Sequence, residues 1–434
     1  MNSSGTLPQT QSRSLLARQS FRTAQRTVLL ATMFCYFFYY TGRHAFGFAI
    51  PGIEEELGLS KATLGWVSAA LLWCYALGQI PNGYLGDRVG GRIMMSTGAC
   101  LSCGLNWIVS LANGFWGLLV PWGMNGLAQS MGWAPGSRVL SNWWPSNERG
   151  RTYGWYVFAA GMGTVLAFVT SILVLEVLDL NWRWIFRLPI LLLLVGGVTY
   201  YLIVRDRPEQ AGFEPHSDSD APESKPGNAD ENENAWESYR EVLSHGRFLV
   251  ASWAIGFQSI ARYGLLIWVP VHFLGSDWKQ EGRSWISVAL PVGMALGALT
   301  SGWLSDRMFG SRRTPVIALF MALAAAFSVA MYFIPKEQVT LGLIVLFLCG
   351  FFVYGPQSAF WALCPDLLGV KRTGTGTGIM NFHAYLFAGL GEPFIGWMID
   401  SSESLDGRPQ TGIIFLVVAV ACMASASISL FIKR

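Results

Sequence analysis

Charge is scarce in this sequence. Only 13% of its 434 residues are Asp, Glu, Lys or Arg, while 52% are hydrophobic; an ordinary soluble domain carries about 25% charged residues. That deficit excludes a soluble globular chain, because apolar runs of about 18 or more residues recur along the whole length, each able to cross a hydrocarbon core about 30 Å thick. A net charge of +3 is too slight for a nucleic-acid partner. The seven cysteines include one C-x-x-C, Cys100 and Cys103, with no second pair to complete a metal site. It lies in an apolar run, so small buried residues are expected there, with no metal or cofactor. P-loop, H-E-x-x-H and supported G-x-S-x-G motifs are also missing, so nothing calls for an enzyme.

What is present is an all-α membrane pattern. Twelve helices are expected near 27–53, 63–86, 93–112, 115–140, 151–178, 184–204, 247–275, 283–304, 313–334, 339–363, 373–400 and 411–432. The organisation read from them is a tail (1–26), a six-helix bundle (27–204), a polar linker (205–246) and a second six-helix bundle (247–434). The linker centre, 214-EPHSDSDAPESKPGNADENEN-234, has too little apolar content to fold and is expected to be disordered. Of the 30 Lys and Arg, 20 fall in the two termini and the loops after even-numbered helices, 7 fall in the opposite loops, and Arg43, Arg138 and Arg262 lie within helices. The positive-inside rule therefore puts both termini and the linker in the cytoplasm. The first 26 residues hold four arginines and no acid, and they read as a cytoplasmic tail in preference to a transit peptide.

The halves repeat. Shifting 83-GYLGDR-88 by 219 positions gives 302-GWLSDR-307, and the same shift carries Trp66 to Trp285, Gly78 to Gly297 and Pro51 to Pro270. It also carries Arg43, in 39-YYTGRHAFGFAIP-51, to Arg262, in 261-ARYGLLIWVP-270. A guanidinium at membrane depth costs about 2.5–3.5 kcal/mol or more, so two at equivalent positions need a common reason. Pseudo-symmetry sets such residues across the repeat interface, where transporter sites lie near the bilayer midplane. Paired, always-charged, planar donors suit a phosphate or carboxylate. Their mutual repulsion is relieved by an anion of charge near −2, so a phosphate ester or inorganic phosphate fits best.

Around them, Tyr39 and Tyr40 precede Arg43 by four and three residues and would share its face on a continuous helix. Gln79 is a polar residue within a span and a further candidate for the cavity. Glu392, in 389-GLGEPFIGW-397, is an acid inside the eleventh span and a candidate proton carrier; His383 and His44 are weaker candidates for that role. The short loops carrying Asp87–Arg88 and Asp306–Arg307 need glycine for their turns, and their charges are expected to lock neighbouring helices and set conformational rates.

These loops carry the G-x-L-x-D-R core of the pattern G-x-L-x-D-R-x-G-R, and with the six-plus-six layout the chain resembles the major facilitator superfamily over essentially its whole length. Within it, 39-YYTGRHAFGFAIP-51, 129-QSMGWAPGSRVLSNWWPSNERG-150 and 262-RYGLLIWVP-270 are similar to the organophosphate:phosphate antiporters. The resemblance implies that Arg43 and Arg262 are the phosphate-binding pair. It also implies uptake of an organic phosphate in exchange for inorganic phosphate, by alternating access of two six-helix bundles in a bacterial inner membrane. The expected partners are a small anionic substrate and the lipid bilayer, and the expected state is a monomer. Three positions depart from that group: Gln79 stands where a lysine is usual, Ala160 near where glycerol-phosphate members carry a histidine, and Ser259 where a tyrosine precedes the second arginine. Meanwhile 76-ALGQIPNGYLGDRVGGR-92 looks more like the proton-coupled symporters of sugar acids, which is the alternative reading. A transporter-like sensor of phosphorylated compounds is a third.

Overall fold

The structure, a computed structural model, describes residues 9–213, 235–274, 284–308, 313–335, 338–368, 373–402 and 410–432. Regular structure among these residues is helical throughout. The expected spans are present with altered ends. The first helix starts at Gln9 and runs to Tyr39, so residues 9–26 of the expected tail extend the span toward the terminal face. After a tight turn at Tyr40–Gly42 the chain resumes as Phe46–Leu57. The second to sixth spans are Lys61–Val89, Gly91–Val109, Phe115–Ser130 with Trp133–Trp143, Ser146–Ile172 with a wider turn at Leu173–Val177, and Trp182–Phe186 with Pro189–Ile203. The second half follows as Gly246–Leu274, Ser284–Val288 with Ala289–Met308, Arg313–Phe333, Val339–Tyr354 with Gln357–Leu368, Thr373–Ser401 and Ile413–Ser429. Both ends of the linker are ordered, as a short turn at Pro208–Ala211 and a helix at Ala235–Ser244. Residues 214–234, where disorder was expected, lie outside the described residues.

Local chemistry sets the helix ends. Ser60 caps the second span, its hydroxyl accepting from the Thr63 amide at 3.2 Å. Gly58, at φ 64°, ends the preceding helix in the left-handed conformation that glycine adopts without a Cβ penalty. Gly90, between the second and third spans, has φ 92°, and a Cβ there would meet the Asp206 carboxylate. That carboxylate accepts from the Arg92 amide at 2.7 Å and ties this loop to the end of the sixth span.

Among the described residues, five segments are long and apolar enough to cross a membrane by length and composition alone: Gly154–Val177, Trp182–Ile203, Gly246–Leu274, Arg313–Phe333 and Val339–Leu368. The first, second and eleventh spans are not among them. Their inward sides carry the Tyr, Arg, Ser and Gly of the central cavity, which lowers their hydropathy, and the bundle shields those faces from lipid.

The two halves meet most closely at the face opposite the termini. There the second span lies along the eleventh and the first along the seventh. Glycine permits the approach. A Cβ at Gly65 would come within 2.6 Å of the Glu392 carbonyl oxygen, one at Gly396 would strike the Lys61 carbonyl, and one at Gly47 the Ile267 carbonyl. Trp73 donates its indole N–H to the Leu386 carbonyl at 3.1 Å. The Asp400 carboxylate, from the eleventh span, accepts from the backbone amides of Lys61 and Ala62 at 3.3 and 2.8 Å. One half thus caps the second span of the other, satisfying two amides that a helix start leaves orphaned.

Asp400→Ala removes both bonds and leaves the glycine packing intact. A half-exposed carboxylate at a helix start contributes about 1 kcal/mol, so the closed population at this face should fall roughly five-fold. In a background without native cysteines, a cysteine at Ser68 should then react faster with an impermeant maleimide. An unchanged rate would remove Asp400 from the closure.

Candidate functional site

The site begins with a break in a helix. Arg43 sits at φ −140°, outside helical geometry, between the turn Tyr40–Gly42 and the helix Phe46–Leu57. A break at membrane depth frees backbone carbonyls that lipid cannot satisfy. The protein satisfies one of them with side chains: the Gly42 carbonyl accepts from Asn125 Nδ2 at 2.7 Å and from Asn106 Nδ2 at 3.3 Å. Asn125 is itself held by the Ser102 hydroxyl at 2.6 Å, and Gln129 donates to that hydroxyl at 2.7 Å. All four are buried. Gly42 has no room for a Cβ, which would lie 2.6 Å from Gln129 Nε2 and 2.9 Å from Ser102 Oγ. Arg262 differs, for it lies within the unbroken helix Gly246–Leu274. The arginines hold equivalent repeat positions, but only one is presented by irregular backbone.

Each guanidinium lies on aromatic faces. Arg43 Cζ is 4.0 Å from the Tyr40 ring centre and 5.3 Å from that of Tyr75. Arg262 Cζ is 4.3 Å from Tyr354 and 4.9 Å from Tyr263. Tyr385 joins the two groups, its ring centre 4.6 Å from Tyr75 and 5.5 Å from Tyr263. His44 joins them on another side, 4.9 Å from Tyr40 and 6.3 Å from Tyr263. Five spans, the first, second, seventh, tenth and eleventh, therefore meet in one aromatic frame around two cations. Cation–π contacts contribute about 0.5–2 kcal/mol each, less than the cost of a desolvated charge. Among the described residues neither arginine forms an ion pair, and the Nε of each is buried without a hydrogen-bond partner. The site holds uncompensated positive charge and favours an anion.

The structure brings Arg43, Arg262 and Tyr40 together. It takes Tyr39 elsewhere, because the helix tightens after Tyr39 and the shared face is lost. The Tyr39 hydroxyl donates to the Met95 carbonyl, and its ring packs on Gly98 and Gly132 within the first bundle. Gln79 has a buried, unpartnered amide nitrogen but does not line either cavity at the arginines. Glu392 is fully buried toward the far face. Trp268 donates to its Oε2 at 2.9 Å and Oε1 has no partner, so it serves as counter-ion to neither arginine. His383 Nδ1 donates to the Ile379 carbonyl of its own helix at 2.9 Å. The side chains of Asp87 and Asp306 lie outside the described residues; Arg88 and Arg307 are exposed at the terminal face. Ala160 and Gly161 line the cavity that Arg262 shares with Tyr40, Thr164 and Tyr354, so the departure at Ala160 does face the site.

Sequence reading missed Tyr75, Tyr263, Tyr354 and Tyr385, and the Asn106–Asn125 support. The repeat gave no signal for most of them: the 219-residue shift pairs Tyr40 with Ser259 and Tyr75 with Met294. Tyr263 was the findable one, being next to Arg262 and equivalent to His44.

Twelve spans in two related bundles, closed over two buried arginines in one aromatic frame, are the build of a membrane transporter. The chain belongs to the major facilitator superfamily, whose model matches residues 32–392. It is 27% identical to the glycerol-3-phosphate transporter of Bacillus subtilis (strain 168) over 88% of this chain and 87% of that one. It is equally 27% identical to a probable hexose phosphate transport protein of Chlamydia pneumoniae, over 92% and 88%. The membrane sensor protein UhpC of Salmonella typhimurium is 26% identical over 94% and 91%. Among solved structures, a bacterial homologue of the human lysosomal transporter Spinster, inward-facing and unoccupied, superposes with a TM-score of 0.71 over 94% of this chain and 95% of that one, at 16% identity. The relatives bear out the organophosphate:phosphate antiporter resemblance, and the solved structure bears out the fold.

Asn125→Ala should leave the Gly42 carbonyl only the longer bond from Asn106 and deprive the Ser102 hydroxyl of its acceptor, costing about 1–3 kcal/mol, the penalty for a buried group left unpaired. The readout is thermal unfolding in detergent. A melting temperature equal to wild type would show that the break needs no such support.

Proposed function

We propose that this chain takes up an organic phosphate in exchange for inorganic phosphate, by alternating access in the bacterial inner membrane, with both termini and the linker cytoplasmic and the monomer as the working unit. The observation that carries this reading is the pair of guanidiniums from equivalent positions of the two halves, buried in one aromatic frame with no carboxylate between them among the described residues. A dianion bridging Arg43 and Arg262 neutralises both bundles at once. Without it, closing the cavity presses two like charges together where water is excluded. Exchange follows, because the empty carrier resists the passage that the loaded one makes. The names of the relatives support a phosphate ester as the organic substrate.

A second reading has support in the sensor relative, which is about as similar as the transporters. A sensor would bind the same anions and move almost none. Purified protein in liposomes loaded with inorganic phosphate separates the two. Entry of labelled phosphate, blocked by a phosphate ester, supports the antiporter; binding without entry supports the sensor; proton-driven uptake of a sugar acid without phosphate exchange would overturn the clamp. In the same assay Arg43→Lys and Arg262→Lys keep the charge and lose the planar fork. Exchange should fall roughly 10–100-fold, as for a charge-assisted hydrogen bond of about 1.5–3 kcal/mol, with melting temperature nearly unchanged. Wild-type rates in Arg262→Lys would refute the clamp.

A further inference from the structure

The phosphate clamp leaves the chemistry of His44 unused. It is only 2% exposed, and both ring nitrogens are buried with no hydrogen-bond partner. The polar side chains that build the helix break nearby are paired: Asn106, Asn125 and Ser102 all have partners. Leaving an imidazole unpaired costs about 1–3 kcal/mol for each buried group, so two unpartnered nitrogens make His44 a candidate to hydrogen-bond a bound ligand. The ring is held edge-on by Tyr40 and Tyr263. It lines a cavity with Arg43, Ser68, Tyr75, Tyr263 and Tyr385. The position is special in the repeat as well. His44 follows Arg43 as Tyr263 follows Arg262, and these two equivalent residues face each other across the junction of the halves.

We infer that His44 reads the organic part of the substrate by hydrogen-bonding a hydroxyl close to the phosphate. This rests on the organophosphate reading and deepens it. Guanidinium groups only donate, so they can hold phosphate oxygens but cannot receive the proton of an alcohol. A neutral imidazole offers one N–H donor and one lone pair, which matches a hydroxyl that also does both. Two arginines already answer the charge of the phosphate, so the third polar contact suits a neutral group. The substrate class is a hydroxylated phosphate ester, a polyol or sugar phosphate, in preference to an alkyl phosphate or a phosphorylated carboxylic acid.

The test compares glycerol phosphate, propyl phosphate and 3-phosphonooxypropanoate, an acid with no hydroxyl, as inhibitors of labelled phosphate exchange in liposomes, for wild type, His44→Ala and His44→Asn. Glycerol and propyl phosphate have the same carbon skeleton and differ in hydroxyls. In wild type, glycerol phosphate should act at roughly ten-fold lower concentration than propyl phosphate, the upper range for one neutral hydrogen bond. His44→Ala should collapse that ratio toward unity, and His44→Asn, with one donor and one acceptor, should restore part of it. If the alanine variant exchanges too slowly, the same ratio is read from ligand-dependent thermal stabilisation of the purified protein. A ratio that survives in His44→Ala overturns the assignment. Preference for 3-phosphonooxypropanoate that depends on His44 overturns the hydroxyl class. Wild type that neither exchanges nor binds phosphate defeats the organophosphate reading itself, and this inference with it.

Discussion

Two positive charges that cannot escape each other govern this molecule. Arg43 and Arg262 are placed by homologous positions of the two bundles into one aromatic frame, and aromatic faces offset only part of their desolvation. Nothing inside the frame neutralises them among the described residues. Much of the surrounding architecture follows from keeping that charge uncompensated while the rest of the chain remains intact. The carboxylates are elsewhere: Glu392 is turned to Trp268, and Asp400 is occupied by the backbone of the second span.

The halves solve the same placement in different ways. In the first, the helix is broken at Arg43, and Asn106, Asn125, Ser102 and Gln129 form a buried polar network that takes up the strain on hydrogen bonding. In the second, Arg262 sits on a continuous helix and Gln258, one turn earlier, reaches the Val353 carbonyl of the tenth span. Broken backbone is tolerated in a membrane only where protein satisfies it. The asymmetry gives the first bundle a presented arginine followed at once by His44, and the second an arginine followed by Tyr263. Their equivalence by duplication and their difference in chemistry make the site chemically one-sided, which suits a ligand with one charged end and one neutral end.

The far face shows how closure is coupled to the site. Gly65, Gly396 and Gly47 let the backbones of opposite halves touch, and Asp400 caps the second span from across the interface. The same second and eleventh spans carry Tyr75 and Tyr385, the ring pair that links the two arginines. The contact at this face and the aromatic frame therefore rest on the same two helices. Small residues at the contact let the backbones of the two halves approach closely.

The sequence alone determined the class of the protein and its central pair. Hydropathy sets the number of spans because each must cover the same hydrocarbon thickness, and the duplication exposed Arg43 and Arg262 because a charge in an apolar run is visible without a structure. Pattern carried no further where residues of ordinary kind acquire a role by position. Tyr75, Tyr354 and Tyr385 look like any membrane aromatics and have no counterparts under the 219-residue shift. Tyr39 and Tyr40 differ only in where the helix tightens, and that is decided by Gly42 meeting Gln129 and Ser102 from other spans. Asp400 is an ordinary acid at a helix end in the sequence, and only the fold sets its carboxylate at the start of the second span. Helix direction, face and ends are fixed by contacts between segments far apart in the chain, which periodicity within a segment does not encode; only the tertiary structure decided them.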